Sequence, residues 1–272
     1  MKREASFSSS LAYAPNISWL LADLPFGERP AAIAQAGFSA IEFGFPSHAD
    51  IPALEAAHRA LGLEIVLFNQ DVPVWDAANR GYLVDERRRV EFQRTLGEAL
   101  DIARRLGVQK VMLPCGVEVA EQTRQAQRDC MLANLRAAAP QAERAGVMLT
   151  IEVLNPVDNP GYFLTSADEA LAIVREVNHP LVRFQLDTYH VTVLGGDPLR
   201  LIREQAPWIG HIQFADAPGR HEPGTGKIDF AALLDAAQAA GYRGYIGLEY
   251  IPLAAGAGAL DWVTPDRRRL SD

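Results

Sequence analysis

Two cysteines among 272 residues, Cys115 and Cys130, form no metal motif with each other and suggest no disulfide scaffold. No apolar run approaches the ~18–20 residues of a membrane span. The stretch MKREASFSSSLAYAPN carries two basic residues but no continuous apolar segment of the kind a secretory leader needs. The expectation from these absences is a cytoplasmic protein without a membrane partner. Basic residues are in deficit, 26 Lys and Arg against 34 Asp and Glu, for a net charge of −8. That balance argues against a broad nucleic-acid footprint, which normally needs a basic face. It leaves room for local Arg or His to hold a small anion. A Gly-rich dinucleotide fingerprint after the first strand is also missing.

What is present is a repeat of short apolar runs and amphipathic stretches. Eight runs read as strands: Asn16–Trp19, Ala40–Phe45, Glu64–Asn69, Lys110–Pro114, Leu149–Leu154, Val182–Asp187, Gly210–Ala215 and Tyr245–Tyr250. Between them, apolar residues at i, i+3 and i+4 predict helices over Arg29–Ala36, Ile51–Leu61, Glu86–Leu106, Glu121–Ala145, Ser166–Val177, Pro198–Gln205 and Phe230–Ala240. AGF, LGL, LGV, AGV and AGY each place a Gly just past a helix, where the left-handed cap conformation costs it nothing. Ser166 and Glu169 have capping-box spacing, and Pro198 follows Asp197 as a first-turn Pro would. Eight β/α units in a chain near the ~250 residues of a (β/α)₈ barrel predict one α/β TIM barrel domain over residues 1–272. An open doubly wound sheet is the alternative. The N-terminus is expected to be short and irregular, and the tail from about residue 254 to be a last short helix or an oligomer contact. The polar loops Asn155–Thr165 and Asp216–Ile228 both follow strands and so belong to the barrel's catalytic face.

Four polar residues interrupt the last four apolar runs: Glu152 in LTIEVLN, Asp187 in VRFQLDT, Gln213 in IGHIQFAD and Glu249 in YIGLEYI. A carboxylate buried in such a run costs several kcal/mol unless it is paired or binds a metal. The spacings of 35, 26 and 36 residues each fit one β/α unit, so four consecutive strands would aim one oxygen ligand each at a common centre. Three carboxylates and an amide oxygen are hard ligands suited to Mg²⁺ or Mn²⁺, and less to Zn²⁺. The plain alternative is a set of salt-bridged core carboxylates, and a buried Gln can simply bond to backbone. His190 in DTYH lies in the loop leaving a strand next to Asp187 and is read as substrate-binding. His211 shares the strand side of Gln213, as a supporting partner or a ligand. Glu42 in AIEFGF is either another carboxylate at the mouth or a partner for a basic residue.

The segment IGHIQFADAPGRHEPGTGKIDF, followed by GLEYIP, resembles the hydroxypyruvate isomerase family, within the xylose-isomerase-like barrels. NISWLL, IEFGFP, LGLEIVLFN, NPVDNPGYFLTS and DTYH are similar too, so the likeness runs from about Asn16 to Pro252. It implies a divalent metal, Mg²⁺ or Mn²⁺, held by Glu152, Asp187, Gln213 and Glu249. Related ketose 3-epimerases usually carry His where Gln213 stands, which favours the isomerase branch and leaves the epimerase as nearest rival. Where the family often has W-x-x-GERG, this chain has WDAANRG, with Ala78 and Asn79 in place of Gly and Glu. A longer 2-oxo sugar acid, such as a 2-oxo-tetronate, is therefore a substrate to set beside hydroxypyruvate.

The implied reaction interconverts hydroxypyruvate and tartronate semialdehyde through an enediolate, with Glu152 and Glu249 as the proton-transfer pair. Arg220 is the expected partner of the substrate carboxylate. Asp158 either contacts substrate or holds its loop, and Glu222 is expected to order the Asp216–Ile228 loop through backbone N–H groups. Cys115, near the mouth, is expected only to pack. A homo-oligomer is implied by the resemblance. A metal-dependent phosphodiesterase on the same fold and a non-catalytic sugar-acid-binding barrel are the competing classes.

Overall fold

Eight strands pair in parallel in the order β1-β8-β7-β6-β5-β4-β3-β2. They are β1 (Leu11–Pro15), β2 (Ala40–Glu42), β3 (Glu64–Asn69), β4 (Lys110–Met112), β5 (Met148–Glu152), β6 (Val182–Asp187), β7 (Ile209–Phe214) and β8 (Gly244–Leu248). The structure, a computed structural model, describes residues 11–270. The irregular N-terminus expected from the sequence lies in residues 1–10, outside the described residues. β1 and β2 meet through a single parallel bridge, Asn16 to Glu42, with Ile17 N donating to Glu42 O at 2.8 Å. That contact brings the two ends of the sheet together into a nearly closed barrel.

The helices are α1 (Arg29–Gln35), α2 (Ile51–Leu61), α3 (Arg89–Leu106), α4 (Arg124–Ala145), α5 (Ala167–Val177), α6 (Thr188–Val193), α7 (Pro198–Gln205) and α8 (Phe230–Ala239). Gly62, Gly107 and Gly146 end α2, α3 and α4 in the left-handed conformation, with φ of 63°, 67° and 68°. Asp197 caps α7 by accepting from Arg200 N at 3.1 Å, with Pro198 in the first turn. Ser166 Oγ accepts from Glu169 N at 3.3 Å, one half of the capping box; the Glu169 side chain turns instead to Arg124.

The sequence reading misplaces the first strand. It is Leu11–Pro15, not Asn16–Trp19, because Asn16 Oδ1 accepts from Ser18 N at 3.0 Å and bends the chain into a turn there. The short helix α6 is also new: Asp187 Oδ1 caps it, accepting from Tyr189 N at 2.7 Å and His190 N at 3.1 Å. The tail forms two short 3₁₀ helices, Gly256–Leu260 and Pro265–Arg267. It packs on β1 and α1, with the Trp262 ring 5.4 Å from that of Tyr13 and Arg268 donating to Ala36 O at 2.6 Å.

Alternation sorts each strand. Leu11 and Tyr13 face the helices and join the large apolar layer between barrel and helices. Ala12 and Ala14 cluster with Ala40, Val66, Met112 and Tyr245 inside the barrel. On β7, Ile212 and Phe214 belong to the outer layer, so His211 and Gln213 face inward. The outer layer supplies the hydrophobic stabilisation, at about 1.5–3 kcal/mol for each large side chain buried. The interior is left for polar side chains.

Candidate active site

Glu152 closes β5, Asp187 closes β6, Gln213 is the penultimate residue of β7, and Glu249 follows β8 directly. All four thus stand at the carboxyl ends of consecutive strands, and parallel register sets their neighbours. Glu152 pairs with Gln185, Asp187 with Gln213, and Gln213 with Gly247. A register shift between Phe184 and Gln185 brings Gln185 beside His211 as well.

The interior polar groups form one network. Thr150 Oγ1 donates to Gln185 Oε1 at 2.8 Å. Gln185 Nε2 donates to Gln213 Oε1 at 2.7 Å and to Glu152 Oε2 at 3.2 Å. Gln213 Nε2 donates to Glu249 Oε2 and Glu42 Oε2, both at 2.8 Å. Lys110 Nζ lies 3.1 Å from His211 Nδ1, and His211 Nε2 lies 2.5 Å from Glu42 Oε1. Burial, then the Lys110 charge, keeps His211 neutral by pushing its pKa well down. Lys110 can only donate, so the His211 proton is assigned to Nε2, which donates to Glu42. Of the two sequence readings of Glu42 and His211, the supporting one describes this arrangement.

The carboxylates are electrostatically crowded. Burial first, then Asp187 and Glu249, raise Glu152 well above the ordinary carboxylate range. Burial raises Asp187 to about 7 against the pull of Arg220, and raises Glu249 against the same cation. Glu42 is pushed up to about 8 by burial. Arg220 Nη2 donates to Glu249 Oε1 at 2.7 Å and lies 3.7 Å from Asp187 Oδ2. Its guanidinium stacks 4.3 Å from the Trp19 ring centroid, and its backbone is left-handed at φ 57°. The expected carboxylate-binding Arg is therefore already paired with two carboxylates of the chain itself.

Asp187 Oδ2 is buried and accepts no hydrogen bond from the described residues. Glu152, Asp187 and His190 present ligand atoms within 4.8 Å of one another, a group that can hold a metal ion. His190 is the weakest of the three on chemistry. Its Nδ1 lies 3.2 Å from the donor Asn155 N and 2.9 Å from Asn155 Nδ2, and burial keeps the ring neutral. With Nδ1 accepting, the proton is assigned to Nε2, a donor rather than a metal ligand. Gln213 commits its amide nitrogen to Glu42 and Glu249, so a cation could meet only its oxygen, which already accepts from Gln185 Nε2 and has one lone pair left. An orphaned carboxylate oxygen among mutually repelling carboxylates fits a hard divalent cation.

Glu152, His190, Arg220 and Glu249 wall a cavity of about 600 Å³, with Asp187 and Gln213 set behind its lining. The loop after β5 is held by Asn155, whose Oδ1 accepts from Val157 N and Asp158 N. Asp158 Oδ2 accepts from Asn155 Nδ2 at 2.9 Å and Tyr189 OH at 2.8 Å, which ties that loop to α6. The Asp216–Ile228 loop is ordered mainly by Asp216, whose Oδ2 accepts from Gly224 N and Gly226 N. Glu222 acts elsewhere, accepting from Leu253 N at 2.9 and 3.2 Å and so tying that loop to the exit of β8. Cys115 is buried and packs, as expected. Sequence reasoning missed Asn16, which donates to Glu249 Oε2 at 3.1 Å, and Gln185. The i, i+2 pair Gln185 and Asp187 in one strand was the available signal for Gln185. It also missed Arg80, buried in the loop after β3 and lining the same cavity.

The description "Xylose isomerase-like TIM barrel" belongs to the family whose sequence model matches residues 30–264. The 2-oxo-tetronate isomerase of Cupriavidus necator is 36% identical over 93% of this chain and 97% of its own. The hydroxypyruvate isomerase of Escherichia coli is 33% identical over 94% of this chain and all of its own. A solved structure described as AP endonuclease, family 2, from Brucella melitensis superposes with a TM-score of 0.87 at 33% identity, covering 92% of this chain and 97% of that one. A structure of an L-ribulose 3-epimerase gives a TM-score of 0.71 at 26% identity, covering 95% and 91%. Both full-length coverage and the inward carboxylates at the strand ends agree: the chain belongs to the xylose isomerase-like TIM barrel family, as an enzyme of its hydroxypyruvate isomerase group.

Proposed function

We propose that this enzyme interconverts a short 2-oxo-3-hydroxy acid and its 2-hydroxy-3-oxo isomer. Hydroxypyruvate and tartronate semialdehyde are one such pair, and a 2-oxo-tetronate is the longer candidate. The observation that carries this reading is the buried carboxylate cluster in which Asp187 Oδ2 accepts no hydrogen bond and has only the Arg220 charge, at 3.7 Å, nearby. Glu152, Asp187, Gln213 and Glu249 would hold a divalent cation, Mg²⁺ or Mn²⁺. The cation supplies Lewis-acid stabilisation of the oxyanion that develops when carbon loses its proton.

The chain's own groups do the rest. One of Glu152 and Glu249 takes the proton from C3 and the other delivers a proton to C2, while the hydroxyl proton passes from O3 to O2. Burial raises both carboxyls above the ordinary carboxylate range, which makes each a better proton acceptor. Arg220 and Asn16 fix Glu249 in place. His190 donates from Nε2 to a substrate oxygen, and Asp158 acts through the loop that carries Asn155 and Tyr189. The name of the Brucella structure raises DNA phosphodiester hydrolysis, but the net charge of −8 argues against a nucleic-acid partner.

Proton NMR in D₂O with hydroxypyruvate, a 2-oxo-tetronate and simple ketoses side by side tests the reading. Deuterium incorporation into an acid with formation of its isomer is expected, abolished by EDTA and restored by Mn²⁺ or Mg²⁺. Full activity in metal-free protein would sink the mechanism. Exchange with inversion at C3 of a ketose, and none with the acids, would shift the assignment to a 3-epimerase.

A further inference from the structure

Arg80 and Arg220, 7% and 8% exposed, are the only buried arginines among the described residues, and they differ in one respect. Arg220 has Glu249 and Asp187 within ion-pair distance, whereas Arg80 has no carboxylate within that distance among the described residues. Arg80 Nη1 donates to Asn159 Oδ1 at 2.5 Å, and its guanidinium lies 5.5 Å from the Trp75 ring centroid. Its Nε is buried and has no hydrogen-bond partner. Nε–H and Nη2 form one edge of the guanidinium, the fork that matches two carboxylate oxygens. A desolvated cation with an idle fork is unfavourable in the free protein and becomes favourable when an anion arrives.

The loop that carries Arg80 is built to stay in place. Gly81 has φ 119°, and a Cβ there would sit 2.0 Å from Pro114 O, so only glycine lets the chain cross the exit of β4 so closely. Val84 N donates to Cys115 O at 3.1 Å on the same seam. Asn79, which stands where the family often has Glu, accepts from Arg88 at 2.6 Å and donates to Val74 O at 2.8 Å. Asn159 comes from the loop after β5, so two loops converge on the guanidinium. Arg80, Asn159 and Trp75 line the cavity that also contains Glu152, His190 and Glu249.

We propose that Arg80, held by Asn159 and Trp75, is the subsite that takes the substrate's carboxylate, and so selects sugar acids over neutral ketoses. This rests on the sugar-acid isomerase reading. Arg220 then serves the carboxylate cluster, and its hydrogen bond to Glu249 is kept during turnover.

The test compares hydroxypyruvate with dihydroxyacetone, which replaces the carboxylate by CH₂OH, in wild type, Arg80→Gln, Arg80→Lys and Arg220→Gln. In Arg80→Gln the kcat/KM ratio of hydroxypyruvate over dihydroxyacetone is expected to fall on the order of 100-fold, the usual scale for losing a desolvated charge-assisted pair. The loss should lie in KM rather than kcat, with Arg80→Lys intermediate. Free Arg80→Gln should melt no lower than wild type, because it removes an unpaired buried charge, and hydroxypyruvate should raise the Tm of wild type only. An unchanged ratio, equal losses on both compounds, or an Arg220→Gln effect confined to the acid would overturn the subsite. If wild type turns over nothing, the isomerase reading fails by itself. Calorimetric binding of hydroxypyruvate then decides: loss in Arg80→Gln upholds the anion subsite, and binding equal to wild type removes it.

Discussion

Gln213 Nε2 donates to Glu42 Oε2 at 2.8 Å across the barrel interior, joining β7 to a strand 171 residues earlier. Glu42 thereby orients the amide that also donates to Glu249, and it rests in turn on His211 and Lys110. The carboxylates at the mouth are therefore supported from below by a polar network in the barrel.

Gly247 leaves the space that Glu42 occupies. A Cβ at Gly247 would lie 2.4 Å from both Glu42 carboxylate oxygens. Gly247→Ala is expected to displace Glu42, cost about 1–3 kcal/mol in overpacking, and lower kcat through Gln213. Urea unfolding measures the first effect and steady-state kinetics the second; wild-type values in both would show that Glu42 has room to move.

Lys110 is the cation that meets His211 at the base of this network, and burial lowers its pKa to about 8. Replacing it with Met leaves His211 Nδ1 buried without a donor and removes a charge that favours ionised Glu42, at a cost of about 1–3 kcal/mol. Glu42→Gln in the same chain should recover part of that loss. A strictly additive double mutant in denaturant unfolding would mean that the two groups do not interact.

Glu152→Gln and Glu249→Gln each keep the size of the side chain and remove its proton chemistry. Each is expected to lower kcat by about 10²–10⁴-fold and to suppress exchange of the carbon-bound hydrogen in D₂O. Retained exchange in both variants would rule out the proton-transfer pair.

The thiols give a pH-dependent outcome. Burial raises Cys115 to about 12 and Cys130 to about 11, from 9.0. Each thiol keeps its proton in the fold after the unfolded chain has lost it. This contribution to stability is present below pH 9 and declines as pH rises beyond it. Since the thiolate is the reactive species, neither Cys should be alkylated by iodoacetamide at pH 8 in the native protein, and both should be in guanidinium. Mass spectrometry that finds native Cys115 labelled would contradict its burial.

Most of the architecture was legible. Helices ended at the predicted glycines because the left-handed cap is a local property of the chain. The first strand was misread because LAYAP, with two alanines and a proline, has no strong strand composition. It becomes a strand only by pairing with β8, Leu11 opposite Gly244 through Pro15 opposite Leu248. The tail was read only as a short helix or a contact, because its Ala/Gly run has no amphipathic period and takes its shape from Tyr13, Tyr250 and α1.

The carboxylates at the strand ends were visible because a charged residue in an apolar run is anomalous whatever its partners. Arg220 and Arg80 show the other side. Both are arginines in polar loops and look alike in sequence, yet one meets Glu249 and Asp187 while the other meets only an amide and a ring. Residue types and spacing determined the repeat, the strand ends and the acidic centre. Which cation pairs with which anion, and which buried fork stays idle, was decided by barrel closure and strand register. Those bring together groups separated by more of the chain than any local pattern spans.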